Sequence, residues 1–214
     1  TSEDGLTWTF KLRKNSTWSN GTPVTAHDFE YSWKRTLTPE TAAEYSYIMA
    51  DIVGSSTKEI QENGVDGVGV KALDDYTLEV KLNRPVAYFA ELVSFQVFFP
   101  QNQAFVESCG DAYGSAADKQ LYNGPFTLTS WKMEDQFTME KNPNYWDAAN
   151  VKLNKINTKV VKDTGAEVSL YEDGQIDRAI LSSDYVDKYK DSKELKTREV
   201  ASIFMLQING GNHK

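Results

Sequence analysis

The sequence predicts an α/β protein of the mixed α+β kind, on three observations. Alternating apolar and polar residues mark several short strands, and apolar residues at helical spacing mark helices between them. The two kinds interleave without the regular strand–helix–strand rhythm of a doubly wound sheet, so a mixed sheet is expected. With 214 residues, the chain can bury a sizeable core, either as one large domain or as two small ones.

Taken in order, residues 8–13 (Trp-Thr-Phe-Lys-Leu-Arg) alternate as a strand. Asn20-Gly21 supplies a turn that tolerates positive φ, and Thr25 with Asp28 has the form of a capping box that opens a helix. Phe29, Trp33 and Leu37 then recur at helical spacing, so one helix face is buried, and Thr38-Pro39 stops it. Residues 40–51 read as helical, and 54–63 as a polar excursion that no packed core needs. Segments 68–72 and 76–82 flank Asp74-Asp75 as a β-hairpin, ended by Asn83-Arg84-Pro85. A short helix over 86–93, an apolar strand over 95–99 and a second short helix ending near Gly110 follow, with a domain boundary or hinge near Pro100. Beyond a small, polar loop, Tyr122-Asn123-Gly124-Pro125 turns into a strand over 126–132, which forms a hairpin with 137–141. Residues 142–147 are irregular and 153–162 alternate as a strand. A helix over 164–173 ends at Gly174 in the usual C-terminal position. Strands over 176–180, 195–200 and 203–209, with a short helix over 183–190, complete the reading.

Composition narrows function by exclusion. The chain is 40% hydrophobic and 25% charged with a net charge of -8, and its Lys and Arg are scattered, which argues against a binder that must neutralise nucleic-acid phosphates. No apolar run approaches the roughly 20 residues that a membrane helix needs, and residues 1–5 lack the basic and apolar regions of a signal peptide. A single cysteine, Cys109, excludes an internal disulfide and leaves the compartment open.

Motifs for catalysis are missing. His27 and His213 are the two histidines, and neither has a second ligand at metal-binding spacing, so no metal site and no cofactor are expected. Asp74-Asp75 and Glu134-Asp135 have the look of paired carboxylates, yet each falls on a predicted hairpin turn, where acidic residues serve local hydrogen bonds. No Gly-x-Ser-x-Gly elbow accompanies the serines, and the glycine-rich stretch over 64–69 lacks the Gly-Lys-Ser/Thr ending of a phosphate loop. Trp18, Trp33, Trp131 and Trp146 sit beside turns or at helical spacing, where packing is the expected role.

The stretch from Thr17 to Asp28, Thr-Trp-Ser-Asn-Gly-Thr-Pro-Val-Thr-Ala-His-Asp, closely resembles the signature of the extracellular solute-binding family 5, the peptide-binding proteins of bacterial ABC importers. The resemblance continues in order along the chain. It takes in the hairpin around Asp74-Asp75, the Tyr122-Asn123-Gly124-Pro125-Phe126 turn, Asn142-Pro143-Asn144-Tyr145-Trp146 and Tyr171-Glu172-Asp173-Gly174-Gln175-Ile176-Asp177. It implies a periplasmic-binding-protein-like fold of type II. Family members are more than twice this long, so the chain is expected to be an internal fragment. Residues 1–100 would be the small extra lobe special to peptide binders, and 101–214 the middle portion of the first ligand-binding lobe.

The resemblance further implies capture by closure: two lobes bend about a hinge, engulf an extended oligopeptide and bond its backbone in strand-like fashion, which gives affinity without sequence choice. The loaded form then docks on a membrane permease. By the same resemblance Tyr45 approaches the peptide, and Leu181, Ser182, Phe204 and Met205 fall where relatives line the cleft. Phe204 and Met205 would point to opposite faces of a strand, so at most one of them faces a cleft. The expected location is extracytoplasmic, as a lipoprotein on a Gram-positive cell surface or free in a periplasm, with membrane attachment only through an anchor outside this chain. Within the family the alternative ligands are dipeptides, cell-wall peptides, peptide pheromones and nickel chelates. Rivals from other classes are a hydrolase acting on peptides or glycans, disfavoured by the missing nucleophile–base pair, and an interaction module with no small ligand.

Overall fold

In the computed structural model, which describes residues 1–200 and Met205, the alternating stretches near the N-terminus pair into one antiparallel sheet. Strands β1 (Thr7–Lys11) and β2 (Val70–Asp74) flank β3 (Thr77–Lys81). Trp8 lies opposite Val80, Phe10 opposite Leu78 and Val70 opposite Val80, so these side chains share one face. Helix α1 (Ala26–Leu37) packs against β2 and β3 and adds Trp33 and Leu37 to the core. The Asp28 carboxylate accepts the Thr25 N–H at 2.7 Å, which satisfies a helix-start donor as the capping pattern predicts. The helix stops at Thr38, whose extended backbone precedes Pro39.

Short elements fill in around this layer, and several differ from expectation. The helix expected over 40–51 is replaced by two 3-10 turns, Pro39–Thr41 and Ser46–Met49, separated where Ala42 adopts a left-handed backbone. In place of a polar excursion, α2 (Thr57–Asn63) forms because Ser56 and Glu59 cap each other and Ile60 is buried. Helix α3 (Phe89–Leu92) seats Phe89 in the core. The expected strand over 95–99 is instead a 3-10 turn, Gln96–Phe98. Helix α1 takes up its backbone acceptors: the Trp33 indole donates to the Phe98 carbonyl at 2.8 Å and the Ser32 hydroxyl to the Phe99 carbonyl at 2.6 Å. Helix α4 (Gln103–Cys109) begins at Asn102, whose side chain accepts the Phe105 N–H at 3.0 Å.

The second sheet is again antiparallel, with β5 (Gln136–Lys141) between β4 (Phe126–Lys132) and β6 (Lys155–Lys159). A register shift between Leu128 and Ser130 brings Trp131 opposite Phe137, so Leu128, Trp131, Phe137, Met139 and Ile156 line one face. Both sheets are antiparallel, whereas a mixed sheet was expected. The extra strands that expectation needs are not formed over 176–180 and 195–200, and 203–209 lies outside the described residues.

By contacts the chain divides into two units, Thr1–Val160 and Val161–Lys214. Residues just after Pro100 are tied back to α1, the Gln101 N–H donating to the Asp28 carbonyl at 3.2 Å. In the second unit, α5 (Thr164–Glu172) starts at Asp163, whose carboxylate accepts the Ala166 N–H at 2.7 Å. It ends ahead of Gly174, which takes the positive φ expected of a C-terminal cap. Helix α6 (Ser183–Tyr189) follows. The Ile180 N–H donates to the Glu167 carboxylate at 3.0 Å and so has a partner without a strand neighbour.

Candidate functional site

Three of the motifs singled out by sequence meet at one joint. The Asn20 side chain accepts the Thr22 N–H at 3.0 Å and closes the turn in which Gly21 takes a φ of 86°. That turn then grips the start of the second sheet. The Ser19 N–H donates to the Tyr122 carbonyl at 2.7 Å, the Asn144 amide to the Ser19 carbonyl at 2.9 Å, and the Thr17 hydroxyl to the Asn144 carbonyl at 2.8 Å. Asn142, fully buried, donates through its side chain to the Gly124 carbonyl at 2.9 Å and accepts the Asn144 N–H at 3.0 Å. The Arg13 guanidinium lies 3.7 Å from the centre of the Trp146 ring. These bonds run from the turn to the start of the second sheet, which makes the arrangement a scaffold that fixes the second sheet to the first.

Asp28 anchors the same corner from the helix side. It is buried, and burial pushes its carboxyl above the ordinary value, against hydrogen bonds from the Thr25 N–H and the Trp18 indole. Glu30, two residues along the same helix, is moved the other way. Partial burial works to raise it, but the Ala72 N–H at 2.8 Å and the Lys34 ammonium at 2.7 Å outweigh burial and hold it below its ordinary value of 4.5.

Tyr45, the first of the predicted ligand residues, lies in the first unit at the start of the Ser46–Met49 turn and is 43% exposed. Its ring packs edge-on against Phe95, 5.4 Å between centroids, and tilted against Tyr47 at 6.1 Å. Its hydroxyl makes no hydrogen bond among the described residues. Sequence reasoning missed Phe95, since a contact across about fifty residues leaves no local signal, and it missed Tyr47, whose contact depends on the 3-10 turn that replaced the expected helix.

Leu181, Ser182 and Met205 lie in the second unit. Leu181 helps line a cavity of about 750 Å³ with Val168, Tyr171, Ile180, Val186 and Leu195. Ser182 caps α6 by position and makes no side-chain capping bond. Met205 is 77% exposed, and Phe204 lies outside the described residues.

The remaining candidates have structural roles. Asp74 accepts the Tyr76 N–H at 2.8 Å, and that bond is the first cause holding its exposed carboxyl below the ordinary range. His27 and Asp75 are 3.5 Å apart and both exposed. Among the described residues, no group of three His, Cys, Asp or Glu is placed to hold a metal ion. In the glycine-rich stretch over 64–69, Gly69 serves close packing, since a Cβ there would fall 3.0 Å from the Lys81 carbonyl oxygen, while Gly64 takes a positive φ with open space around it.

With this geometry in hand, comparison with known proteins settles the class. The family of bacterial extracellular solute-binding proteins, family 5, matches residues 1–213 through the model of its middle region, and this chain belongs to that family. It is 36% identical over 214 residues to the oligopeptide-binding protein OppA of Bacillus subtilis, an alignment covering 98% of this chain and 39% of that protein. It is 39% identical over 186 residues to the dipeptide-binding protein of Lactococcus lactis, with 85% of this chain and 34% of the relative covered. The solved structure of Listeria monocytogenes OppA bound to peptide superposes with a TM-score of 0.84 at 44% identity, over 90% of this chain and 38% of that one. The fold is therefore that of the periplasmic-binding-protein-like OppA structures, and the chain spans well under half the length of these relatives.

Proposed function

We propose that this chain is part of the substrate-binding subunit of an ABC importer, which captures oligopeptides outside the cytoplasmic membrane and delivers them to a membrane permease. The observation that carries the reading is the family match along residues 1–213. Similar proteins named for oligopeptide binding support it. In this reading residues 1–100 form the small extra lobe and 101–214 the middle portion of the first ligand lobe, and the longer protein supplies the lobe that closes over the peptide. Tyr45 is the foremost ligand contact. Its exposed ring, whose hydroxyl has no hydrogen-bond partner among the described residues, suits a group kept available for a ligand better than one packed for stability. In the second unit, Leu181, Ser182 and one of Phe204 and Met205 are further ligand contacts by the same family resemblance, with affinity coming chiefly from the peptide backbone. The subunit does no covalent chemistry, and a lipid anchor carried by the longer protein holds it on a Gram-positive surface.

Calorimetry and tryptophan fluorescence with a random pentapeptide pool, on the complete gene product and on this chain, test the reading. Binding by the complete protein alone, with the pool recovered intact by mass spectrometry, is the expected result. Tight binding by this chain alone would overturn the account of a second, closing lobe, and binding by neither would overturn the peptide assignment. The 39% identity to a dipeptide-binding protein favours one second reading, a shorter ligand. Preference for a dipeptide pool over the pentapeptides would select it.

A further inference from the structure

The aromatic contact behind Tyr45 has no part in the hydrophobic core. Phe95 is 37% exposed and Tyr47 is 68% exposed, yet each lies with its ring centre within about 6 Å of that of Tyr45. Exposed aromatic side chains give up hydration to pack this way, and an edge-on pair contributes modestly in itself. On a side chain that meets a ligand, such a contact also restricts where the ring points.

The two residues are alike at the backbone, since Tyr45 also opens a 3-10 turn, its carbonyl accepting the Ile48 N–H at 3.1 Å, and they differ in what lies behind the turn. Phe95 starts the Gln96–Phe98 turn, and the Phe98 N–H closes back on the Phe95 carbonyl at 3.0 Å. Phe98 itself is buried, packs edge-on to Trp33 at 4.9 Å and receives the Trp33 indole hydrogen bond on its carbonyl. Phe95 is therefore tied through one turn to α1. Tyr45 sits on a stretch of separate 3-10 turns and makes no side-chain hydrogen bond among the described residues.

We infer that Phe95 is a positioning residue for ligand binding: it carries the rigidity of α1 to the Tyr45 ring and sets the direction in which the phenol meets a bound peptide. This rests on the proposal that Tyr45 contacts peptide. The physical gain is preorganisation, since a ring already oriented loses less freedom when a ligand arrives.

The test uses the complete protein and the pentapeptide pool, with Phe95→Ala, Phe95→Leu, Phe95→Tyr, Tyr45→Ala and the Tyr45→Ala/Phe95→Ala pair, each measured for Kd and thermal midpoint. Phe95→Ala and Phe95→Leu are expected to weaken binding about 3- to 10-fold, the range of an aromatic pair. Phe95→Tyr, which keeps the ring, restores binding, and all variants keep their thermal midpoints within a few degrees. In the Tyr45→Ala background, Phe95→Ala has no further effect. If Tyr45→Ala weakens binding while Phe95→Ala does not, or if the two losses simply multiply, the positioning role is overturned and the Tyr45 contact stands. If Tyr45→Ala leaves binding unchanged, the Tyr45 contact fails and the positioning role fails with it. Loss of binding by Phe95→Tyr together with a lowered midpoint assigns Phe95 to the fold instead.

Discussion

The two sheets of the first unit have similar strand patterns and different fates. In the β1–β3–β2 sheet, Leu78, Val80 and Val70 are buried beneath α1, and the cluster extends through Ile52, Phe89 and Phe98. In the β4–β5–β6 sheet, Leu128, Phe137, Met139 and Ile156 line one face and stay half-buried, and Trp131 is exposed. Within 107–167 Asn142 is the one buried residue, and it is polar. Alternation is thus enough to form a strand and choose its faces, but burial depends on what is laid across it. The first sheet carries its cover in its own sequence, as the amphipathic helix α1. The second is held in place by hydrogen bonds at its entrance and by no comparable apolar cover among the described residues.

The largest test of this contrast is truncation on each side. Trp33→Ala is expected to cost about 3–5 kcal/mol in urea denaturation, and Met139→Ala about 1 kcal/mol, because the second side chain never left solvent fully. Equal losses would mean that the second sheet is covered as well as the first. Next is the joint. Asn142→Ala removes a fully buried amide and leaves the part-buried Gly124 carbonyl without its donor, and is expected to cost about 1–3 kcal/mol. Hydrogen exchange should then rise across β4 and leave β1 and β3 protected, and uniform loss of protection would show the two sheets to be one cooperative body.

A smaller effect sharpens the first region. The Glu30 carboxyl is held below its ordinary value in the fold, so its contribution is present above about pH 4.5 and is lost as pH falls through the lower folded value. Glu30→Gln should therefore cost about 1–2 kcal/mol at pH 7 and nothing once both states are protonated. Asp28 runs opposite. With its folded value raised, stability declines as pH rises from the ordinary 3.8 through that raised value. Wild type and Glu30→Gln with parallel acid limbs would contradict the Glu30 assignment. Smallest is Arg13→Gln, which removes the ring contact to Trp146 at a cost of about 0.5–1 kcal/mol and should loosen the second sheet alone.

Much of the fold was legible where interactions are local. The Thr25–Asp28 cap, the helix through Phe29, Trp33 and Leu37, both hairpins, and the stop at Gly174 formed as their patterns predict. The misreadings share a cause. Over 54–63 the low hydrophobicity concealed a helix whose stability lies in the Ser56–Glu59 cap. Over 95–99 five residues with three Phe look like a strand, but Trp33 and Ser32 capture the backbone acceptors from a helix more than sixty residues away. Over 176–180 a carboxylate partner stands in for a ladder.

The family was legible for a related reason: its signature motifs are the residues of the joint, whose hydrogen bonds demand Asn, Gly and Thr at set positions. The proposed ligand residues carry no such local demand. Tyr45 was reached only by resemblance, and its contact with the Phe95 ring only by its place in space.

By itself, then, the sequence determined which stretches become strand or helix, where they start and stop, and which family they belong to, because capping, alternation and turn chemistry act within a few residues. Tertiary structure alone decided that three distant motifs form one joint, that one sheet is buried and its twin is not, and that Tyr45 is backed by Phe95. Those outcomes depend on contacts between segments far apart in the chain, and no local pattern records which surfaces will meet.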